Sequence, residues 1–373
     1  MDYHKKHLLE TSNSVCFHKG VSLNNNTGGD YLLQARIRWS KELADCFGDH
    51  SPSILSGADY TFCTPQHNNL RVGEGSFGLV VLGQEINTKK LVIGKLIKKK
   101  DEDEDGEQAI YSMLKEYMYQ WRAFNILQKA QTTNPEKDIA GVPQPIGFLK
   151  IKNTRKHRFC EYMLVSEYCS LLPDASSAMS MAEALNANRD NRAILSLREW
   201  RDVSVGLLRA SHELQKHDVY HNDLKPPNVM IEFKHGKVRP HIIDFGLAST
   251  SINYSESHRP MFDIKYEKRC PQTAPELFRR PTPLDSSDLY SYGHILFQMG
   301  EKMNMKGLRD LSQYYHASRV NGHFYTYEWM MHNVKCCWNQ LIRHYESIRA
   351  RSAEIRNTED ILDLERKRDS MSS

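Results

Sequence analysis

Two short segments that lie close together in the sequence carry polar side chains in an order that strongly limits the fold. Residues 219–229 read VYHNDLKPPNV and contain Asp223, Lys225 and Asn228. A DFG tripeptide begins at Asp244, sixteen residues after Asn228. Carboxylate and amide oxygens suit Mg²⁺, and a lysine beside them suits phosphate oxygens. One tripeptide is a weak signal, but both segments in this order favour a site that holds a metal ion over phosphates.

A glycine-rich segment precedes these two motifs. Residues 72–80 read VGEGSFGLV, with glycine at three positions. Without a β-carbon, glycine lets the backbone approach a phosphate closely. The same spacing occurs in dinucleotide-binding proteins, where a helix and a later acidic residue follow. Here residues 79–84 and 90–97 are short, rich in β-branched side chains and bounded by turns, which predicts a hairpin instead.

From about Asn69 to about Gly300 the chain resembles the eukaryotic-type protein kinases, with the Ser/Thr pattern in its catalytic loop. The likeness rests on the glycine-rich segment, both motifs above, Lys95, the tripeptide APE at Ala274 and the helix start at Asp288. It implies an α+β, bilobal protein-kinase-like fold with a β-rich N-lobe and a helical C-lobe. It also implies ATP and Mg²⁺ as cofactors and transfer of a phosphoryl group to Ser/Thr hydroxyls of a protein substrate.

The resemblance implies a role for each polar residue of the two motifs. Asp223 orients the substrate hydroxyl and accepts its proton, and Lys225 stabilises the transferred phosphoryl group. Asn228 and Asp244 hold Mg²⁺.

Lys95 lies in the second predicted strand, where the resemblance implies a contact with the α- and β-phosphates and a glutamate partner. Residues 111–129 read as a helix, and Glu116 is its only glutamate. Glu116 is therefore the expected partner. One turn later Gln120 stands where the family usually has an apolar residue, so either the helix is offset or this position is unusual.

The expected hinge, residues 162–169, resembles the segment whose backbone binds the adenine edge. Ser166 would be the residue before the hinge glutamate, called the gatekeeper, and its small side chain would leave an opening behind adenine. Ile93 replaces the usual alanine and would narrow the adenine slot. The expected nucleotide-binding residues are Val72, Gly73, Glu74, Gly75, Ser76, Phe77, Gly78, Val80, Lys95, Glu116, Glu167 and Cys169.

Departures from the family pattern keep other readings open. Asn222 replaces the arginine that normally binds a phosphorylated activation segment. Asparagine carries no charge that could pair with a phosphate. A pseudokinase, a binding or scaffolding module that keeps the fold, is therefore the alternative, and a small-molecule phosphotransferase of the aminoglycoside type is a weaker one. Candidate phosphorylation sites, equally readable as an ordinary polar loop, are Ser249, Thr250, Ser251, Tyr254, Ser255 and Ser257.

Length and composition set the expected domain organisation. The 373 residues fit an N-terminal extension (1–59), one kinase domain (60–351, with lobes 60–167 and 168–351) and a charged tail (352–373). The tail reads as a surface helix or a frayed end. A pairing between Glu276 and Arg343 is a further candidate. A helix in the extension is indicated by apolar residues at helical spacing: Leu32, Ala35, Trp39, Leu43 and Cys46.

The charge and cysteine pattern limits the partners. A net charge of +4 with dispersed basic residues gives no indication of nucleic-acid binding. The eight cysteines lack metal-ligand spacing, which favours reduced thiols in a soluble, cytoplasmic protein, with the nucleus left open. No apolar run is long enough to insert into a membrane, and the sequence says nothing about the oligomeric state.

Overall fold

The computed structural model of the chain describes most of residues 52–371. The described segments are 52–62, 71–74, 78–98, 107–151, 159–169, 179–189, 194–234, 237–251, 271–278, 287–320, 323 and 325–371, with a few edge residues and 352–371 described by their backbone alone. The helix expected near residues 32–46 and the middle of the glycine-rich segment lie outside these residues.

An antiparallel sheet of six strands forms the N-terminal part. Its strand order is β1-β3-β4-β6-β5, and β2 pairs separately with β3. The hairpin expected at residues 79–84 and 90–97 is the pair β3–β4. The strands are β1 (Tyr60–Phe62), β2 (Arg71–Glu74), β3 (Gly78–Glu85), β4 (Leu91–Lys98), β5 (Pro145–Lys150) and β6 (Phe159–Glu167).

The sheet is curled around a small apolar cluster that includes Phe62. A β-carbon on Gly94 would lie 2.4 Å from Sδ of Met163 and 2.8 Å from Cε1 of Phe62. Because both distances are far below van der Waals contact, Gly94 lets these side chains pack against β4. The glycine that interrupts the apolar strand pattern therefore has a packing role on the face opposite Lys95.

Helices form the rest of the described chain, and a short hairpin of β7 (Val229–Lys234) and β8 (Lys237–Ile242) lies among them. The helix α3 starts at a capping box, in which Ser196 and Glu199 each satisfy a backbone N–H of the other. The helices are α1 (Glu107–Thr133), α2 (Met181–Arg189), α3 (Leu197–Lys216), α4 (Ser287–Lys302), α5 (Lys306–Val320) and α6 (Tyr327–Met371).

The main core lies under the helices and continues to the inner face of α1. Trp200, Tyr292 and Trp338 are fully buried members of it, from α3, α4 and α6. The predicted α+β class, with a β-rich N-terminal part followed by a helical part, is confirmed. The predicted boundary at residues 351 and 352 falls inside α6, because that helix continues without a break to Met371. Within the described residues no helix could cross a membrane.

Candidate active site

Asp288 at the start of α4 fixes the backbone of the loop before β7. Its carboxylate accepts hydrogen bonds from the N–H groups of His221 at 2.7 Å and Asn222 at 2.9 Å. The ring of His221 contacts the carbonyl of Ile243 at 3.0 Å, which links this loop to the one carrying Asp244. Burial raises the pKa of Asp288, and the two N–H donors and the neighbouring imidazole of His221 oppose that shift. A buried carboxylate needs such partners, so the loop is rigid where it carries its polar side chains.

Asp223, Lys225 and Asn228 form one hydrogen-bonded group. Oδ2 of Asp223 accepts from Nζ of Lys225 at 2.7 Å and from Nδ2 of Asn228 at 3.0 Å. Nδ2 of Asn228 also donates to the Asp223 carbonyl at 2.9 Å. The contacts among the described residues therefore use one carboxylate oxygen of Asp223, and its Oδ1 is left for a further partner.

Asp244 and Lys95 meet although they come from different parts of the fold. Nζ of Lys95 lies 2.9 Å from Oδ1 of Asp244, and donates to Glu116 Oε1 at 2.7 Å and Oε2 at 2.8 Å. Lys95 is on β4, Glu116 is on α1, and Asp244 precedes the 3₁₀ turn Phe245–Leu247. The structure thus brings the sheet, α1 and the segment after β8 together at one cation.

Charge interactions set the protonation of this trio. Burial alone would lower the pKa of Lys95, but the carboxylates of Asp244 and Glu116 raise it above its ordinary value. Burial likewise opposes ionisation of Asp244, yet Lys95 holds the pKa of that carboxyl below its ordinary value. Burial raises the pKa of Glu116, and Lys95 opposes the shift. The lysine is therefore charged at neutral pH, with an ionised Asp244 beside it.

The side-chain oxygens of Asp244 and Asn228 are of the kind that binds a divalent cation such as Mg²⁺. The hydrogen bond from the Ile243 N–H to the Asn228 carbonyl, 3.0 Å long, places the two side chains on adjacent segments. Asp244 has left-handed backbone geometry (φ 66°), a conformation that aspartate tolerates better than most residues. Among the described residues no group of three His, Cys, Asp or Glu could hold a metal. A metal at these two oxygen ligands would therefore complete its shell with phosphates and water, as Mg²⁺ usually does.

The nucleotide-binding residues expected from the sequence are described to different extents. Gly75, Ser76 and Phe77 lie outside the described residues, and Val72, Gly73 and Glu74 are described by their backbone in β2. Gly78 starts β3, where a β-carbon would lie 2.1 Å from the Leu96 carbonyl oxygen. Val80 lies opposite Lys95 in the β3–β4 pair. Gly78 therefore permits the close strand pairing that places Val80 beside Lys95.

The expected hinge residues lie at the end of β6 and just after it. Glu167 is exposed, and its N–H donates to the Gln144 carbonyl at 2.9 Å. Cys169 is buried. Ser166 faces Ile93 across the β4–β6 pair. Its hydroxyl accepts a hydrogen bond from the buried side chain of Gln120 at 3.2 Å.

Asn222 and Ser249 form a contact that sequence reasoning missed. Nδ2 of Asn222 donates to Oγ of Ser249 at 2.8 Å and to the Leu247 carbonyl at 3.0 Å. Ser249 also pairs its backbone with Tyr220. Ser249 and Thr250, two of the candidate phosphorylation sites, are buried in this structure. The bond spans 27 residues of sequence, and no local pattern points to it.

Arg343, the candidate partner of Glu276, lies on the exposed side of α6 and its Nε donates to the Asn339 carbonyl at 3.2 Å. The side chain of Glu276 lies outside the described residues, so this pairing stays a prediction.

Comparison with known proteins agrees with this arrangement. The family described as "Protein kinase domain" matches residues 67–335, more than half of the chain. A mouse protein named "Sperm motility kinase Tcr mutant form" is 30% identical over 158 residues, which cover 42% of this chain and 28% of that protein. An Arabidopsis "L-type lectin-domain containing receptor kinase VI.2" is 24% identical over 78% of this chain and 38% of its own length. Yeast "SNF1-activating kinase 1" is 26% identical over 53% of this chain and 16% of its own length. The chain therefore spans well under half of the length of each of these relatives. Because the family match covers more than half of the chain, the chain belongs to the protein kinase family.

Proposed function

We propose that this chain is an ATP-dependent protein kinase that transfers the γ-phosphoryl group to serine or threonine hydroxyls of a protein. The observation that carries the proposal is the joint contact of Lys95 with Glu116 and Asp244. It puts the expected phosphate-binding cation between the helix glutamate and the expected metal ligand. The named kinase relatives are distant, so the acceptor class rests mainly on Lys225 in the loop of Asp223.

The proposed roles follow from the geometry of the polar groups. Asp223 binds the acceptor hydroxyl through Oδ1 and takes its proton, while Oδ2 stays bonded to Lys225 and Asn228. Lys225 neutralises charge on the transferred group. Asn228 and Asp244 would hold Mg²⁺, which supplies charge neutralisation at the phosphates. Because Asp288 fixes the loop backbone, these groups need little reorganisation during transfer.

The proposed nucleotide site lies between the sheet and the loop that carries Asp223. The glycine-rich segment from Val72 to Val80 covers the phosphates, and Lys95 binds the α- and β-phosphates. The backbone of Glu167 and Cys169 binds the adenine edge, with Ser166 as the gatekeeper behind it.

Asn222 supports a proposal about regulation. It stands at the position of the family's phosphate-binding arginine, and its amide already bonds to Leu247 and Ser249. A bonded asparagine holds the start of the activation segment without any phosphate. We therefore expect activity to persist after phosphatase treatment.

A pseudokinase is the second candidate, because Ile93 lies opposite Ser166 in the strand pair that borders the expected adenine slot. A bulky residue there would weaken adenine binding and leave a scaffold with the kinase fold.

Two further expectations stay predictions, namely the domain division at residues 60 and 351 and a cytoplasmic location.

Transfer of labelled γ-phosphate from ATP with Mg²⁺ tests the proposal. The purified chain would be offered itself and generic protein acceptors, with phosphoamino-acid analysis of the product and Asp244→Asn as the control. Labelled phosphoserine or phosphothreonine that disappears in the control is the expected result. Absence of transfer together with absence of nucleotide binding would instead favour the pseudokinase.

A further inference from the structure

The helix α1 is fastened to the sheet at two points on the same face. The first is the ion pair of Glu116 with Lys95, at 2.7 Å. The second is Gln120, whose Nε2 donates to Oγ of Ser166 at 3.2 Å and to the carbonyl of Pro143 at 2.8 Å. Pro143 precedes β5, so the amide of Gln120 joins α1 to two separate segments.

The spacing of the two contacts matches on both sides. Ser166 lies opposite Ile93 in the β4–β6 pair, two positions from Lys95. Side chains two apart on a strand share a face and lie about 6.6 Å apart. Gln120 follows Glu116 by four residues, which is about 6 Å along a helix on one face. Both contacts therefore form together in one register and one rotation of α1 against the sheet.

The chemistry of Gln120 makes its bonds directional. Its side chain is buried, at 5% exposure, and both acceptors engage the NH₂ group. The Pro143 carbonyl can only accept, which fixes the orientation of the amide. The contacts of an apolar residue at this position would not depend on direction and would tolerate small shifts of α1. The amide instead loses both hydrogen bonds when α1 moves outward.

We infer that Gln120 is a positioning residue that fixes the register of α1 on the sheet and thereby holds Glu116 against Lys95. The function of that ion pair rests on the proposed kinase activity. The positioning itself rests on the contacts alone, and it is measurable without phosphoryl transfer.

Amide hydrogen exchange of α1 is the first test. Gln120→Met keeps the side-chain length and removes both bonds, and Gln128→Met makes the same change at an exposed position of the same helix. Ser166→Ala removes one bond and keeps a small side chain. We expect exchange in α1 to accelerate roughly fivefold to 100-fold in Gln120→Met, the range for two buried hydrogen bonds. We expect a smaller increase in Ser166→Ala and none in Gln128→Met.

Exchange in α4 separates positioning from general stability. Acceleration confined to α1 agrees with the inference. Equal acceleration in α1 and α4 would overturn it, and so would equal exchange in the Gln120→Met and Gln128→Met variants. These outcomes are read even if the wild-type chain transfers no phosphate, in which case the proposed function fails separately.

Coupling to the ion pair is the second test. If the wild-type chain is active, Gln120→Met should lower kcat roughly fivefold to 100-fold, as the loss of two buried bonds implies. The same substitution in a Glu116→Gln background should cause almost no further loss, since the group it positions is already neutral. Equal losses in both backgrounds would show that Gln120 acts independently of Glu116 and would overturn the inference.

Discussion

At the residue scale, Asn222 combines an unusual backbone with two side-chain hydrogen bonds. Its φ of 63° lies in the left-handed region, which asparagine tolerates better than most residues. The side chain of Asn222 is buried, and its amide donates to the Leu247 carbonyl and to Oγ of Ser249. We therefore expect a substitution of Asn222 to change the free energy of unfolding in two ways, through the tolerance of the new residue for this backbone conformation and through the loss of the two hydrogen bonds.

Substitution by alanine and by glycine separates the two contributions. Asn222→Gly loses the hydrogen bonds but accepts the left-handed backbone, and Asn222→Ala loses the bonds and adds strain of about 1 kcal/mol. Both variants should unfold at lower urea concentration than wild type, with alanine the less stable. An alanine variant as stable as the glycine variant would show that the backbone carries no strain at Asn222.

Ser166 gives a second prediction at this scale. Its small, half-buried side chain should admit inhibitors with a bulky group behind the adenine slot. Ser166→Phe should weaken such inhibitors by about 100-fold or more, because filling a pocket by an aromatic ring excludes the bulky group at a cost of several kcal/mol. Ser166→Ala is the matched control and should keep the sensitivity. Equal inhibition of the Phe variant and wild type would refute the assignment of Ser166.

At the element scale, α5 carries a histidine that should make the fold sensitive to acid. His316 packs edge-on against Tyr290, with ring centroids 4.5 Å apart. Burial, helped by His294 and Arg319, lowers its pKa from 6.5 to about 4. The unfolded chain then binds this proton first as the pH falls. The free energy of unfolding should therefore drop between pH 6.5 and about 4, by up to about 3 kcal/mol.

His316→Phe tests this expectation because phenylalanine keeps the ring and cannot take a proton. Urea unfolding of the variant should lose less stability between pH 6.5 and 4 than that of wild type. His344→Phe, which changes an exposed histidine of α6, should follow the wild-type curve. Parallel curves for the His316 variant and wild type would contradict the assignment.

The positions of the helices and strands discussed above were largely predictable from the sequence. Turn signals and β-branched residues predicted the β3–β4 hairpin to within one residue at each end. The helix expected at residues 111–129 is longer at both ends and runs from Glu107 to Thr133. The length of α6 was not predicted, since its charged second half lacks the regular apolar spacing that marks a packed helix.

Contacts between distant residues were predicted only where a motif specified them. The pairing of Lys95 with Glu116 was expected from the motifs and is present in the structure, whereas the contact of Lys95 with Asp244 was not predicted. The bonds of Asn222 to Ser249 and of Gln120 to Ser166 were not, because they depend on where the tertiary fold places two polar side chains. Spacing along the sequence carries no such information.

At the scale of the whole molecule, a nucleotide that bridges the sheet and the helical part should stabilise both. Mg²⁺ and ATP at 100 times the dissociation constant should add about 2.7 kcal/mol to the free energy of unfolding. Lys95→Met should remove most of that gain, because it removes the cation that joins β4 to Asp244. Thermal unfolding with and without nucleotide measures this gain. An equal rise in the unfolding temperature of the variant and of wild type would show that the nucleotide binds elsewhere.

We expect Asp223 and its bonded partners to perform phosphoryl transfer. Single-turnover transfer from labelled ATP with Mg²⁺, compared between wild type and Asp223→Asn at saturating nucleotide, tests it most directly. Asparagine keeps the size of the side chain but cannot take the hydroxyl proton, so transfer should slow by about 10² to 10⁴ with nucleotide binding unchanged. Transfer by the variant at the wild-type rate would contradict the role of Asp223 and the account built on it.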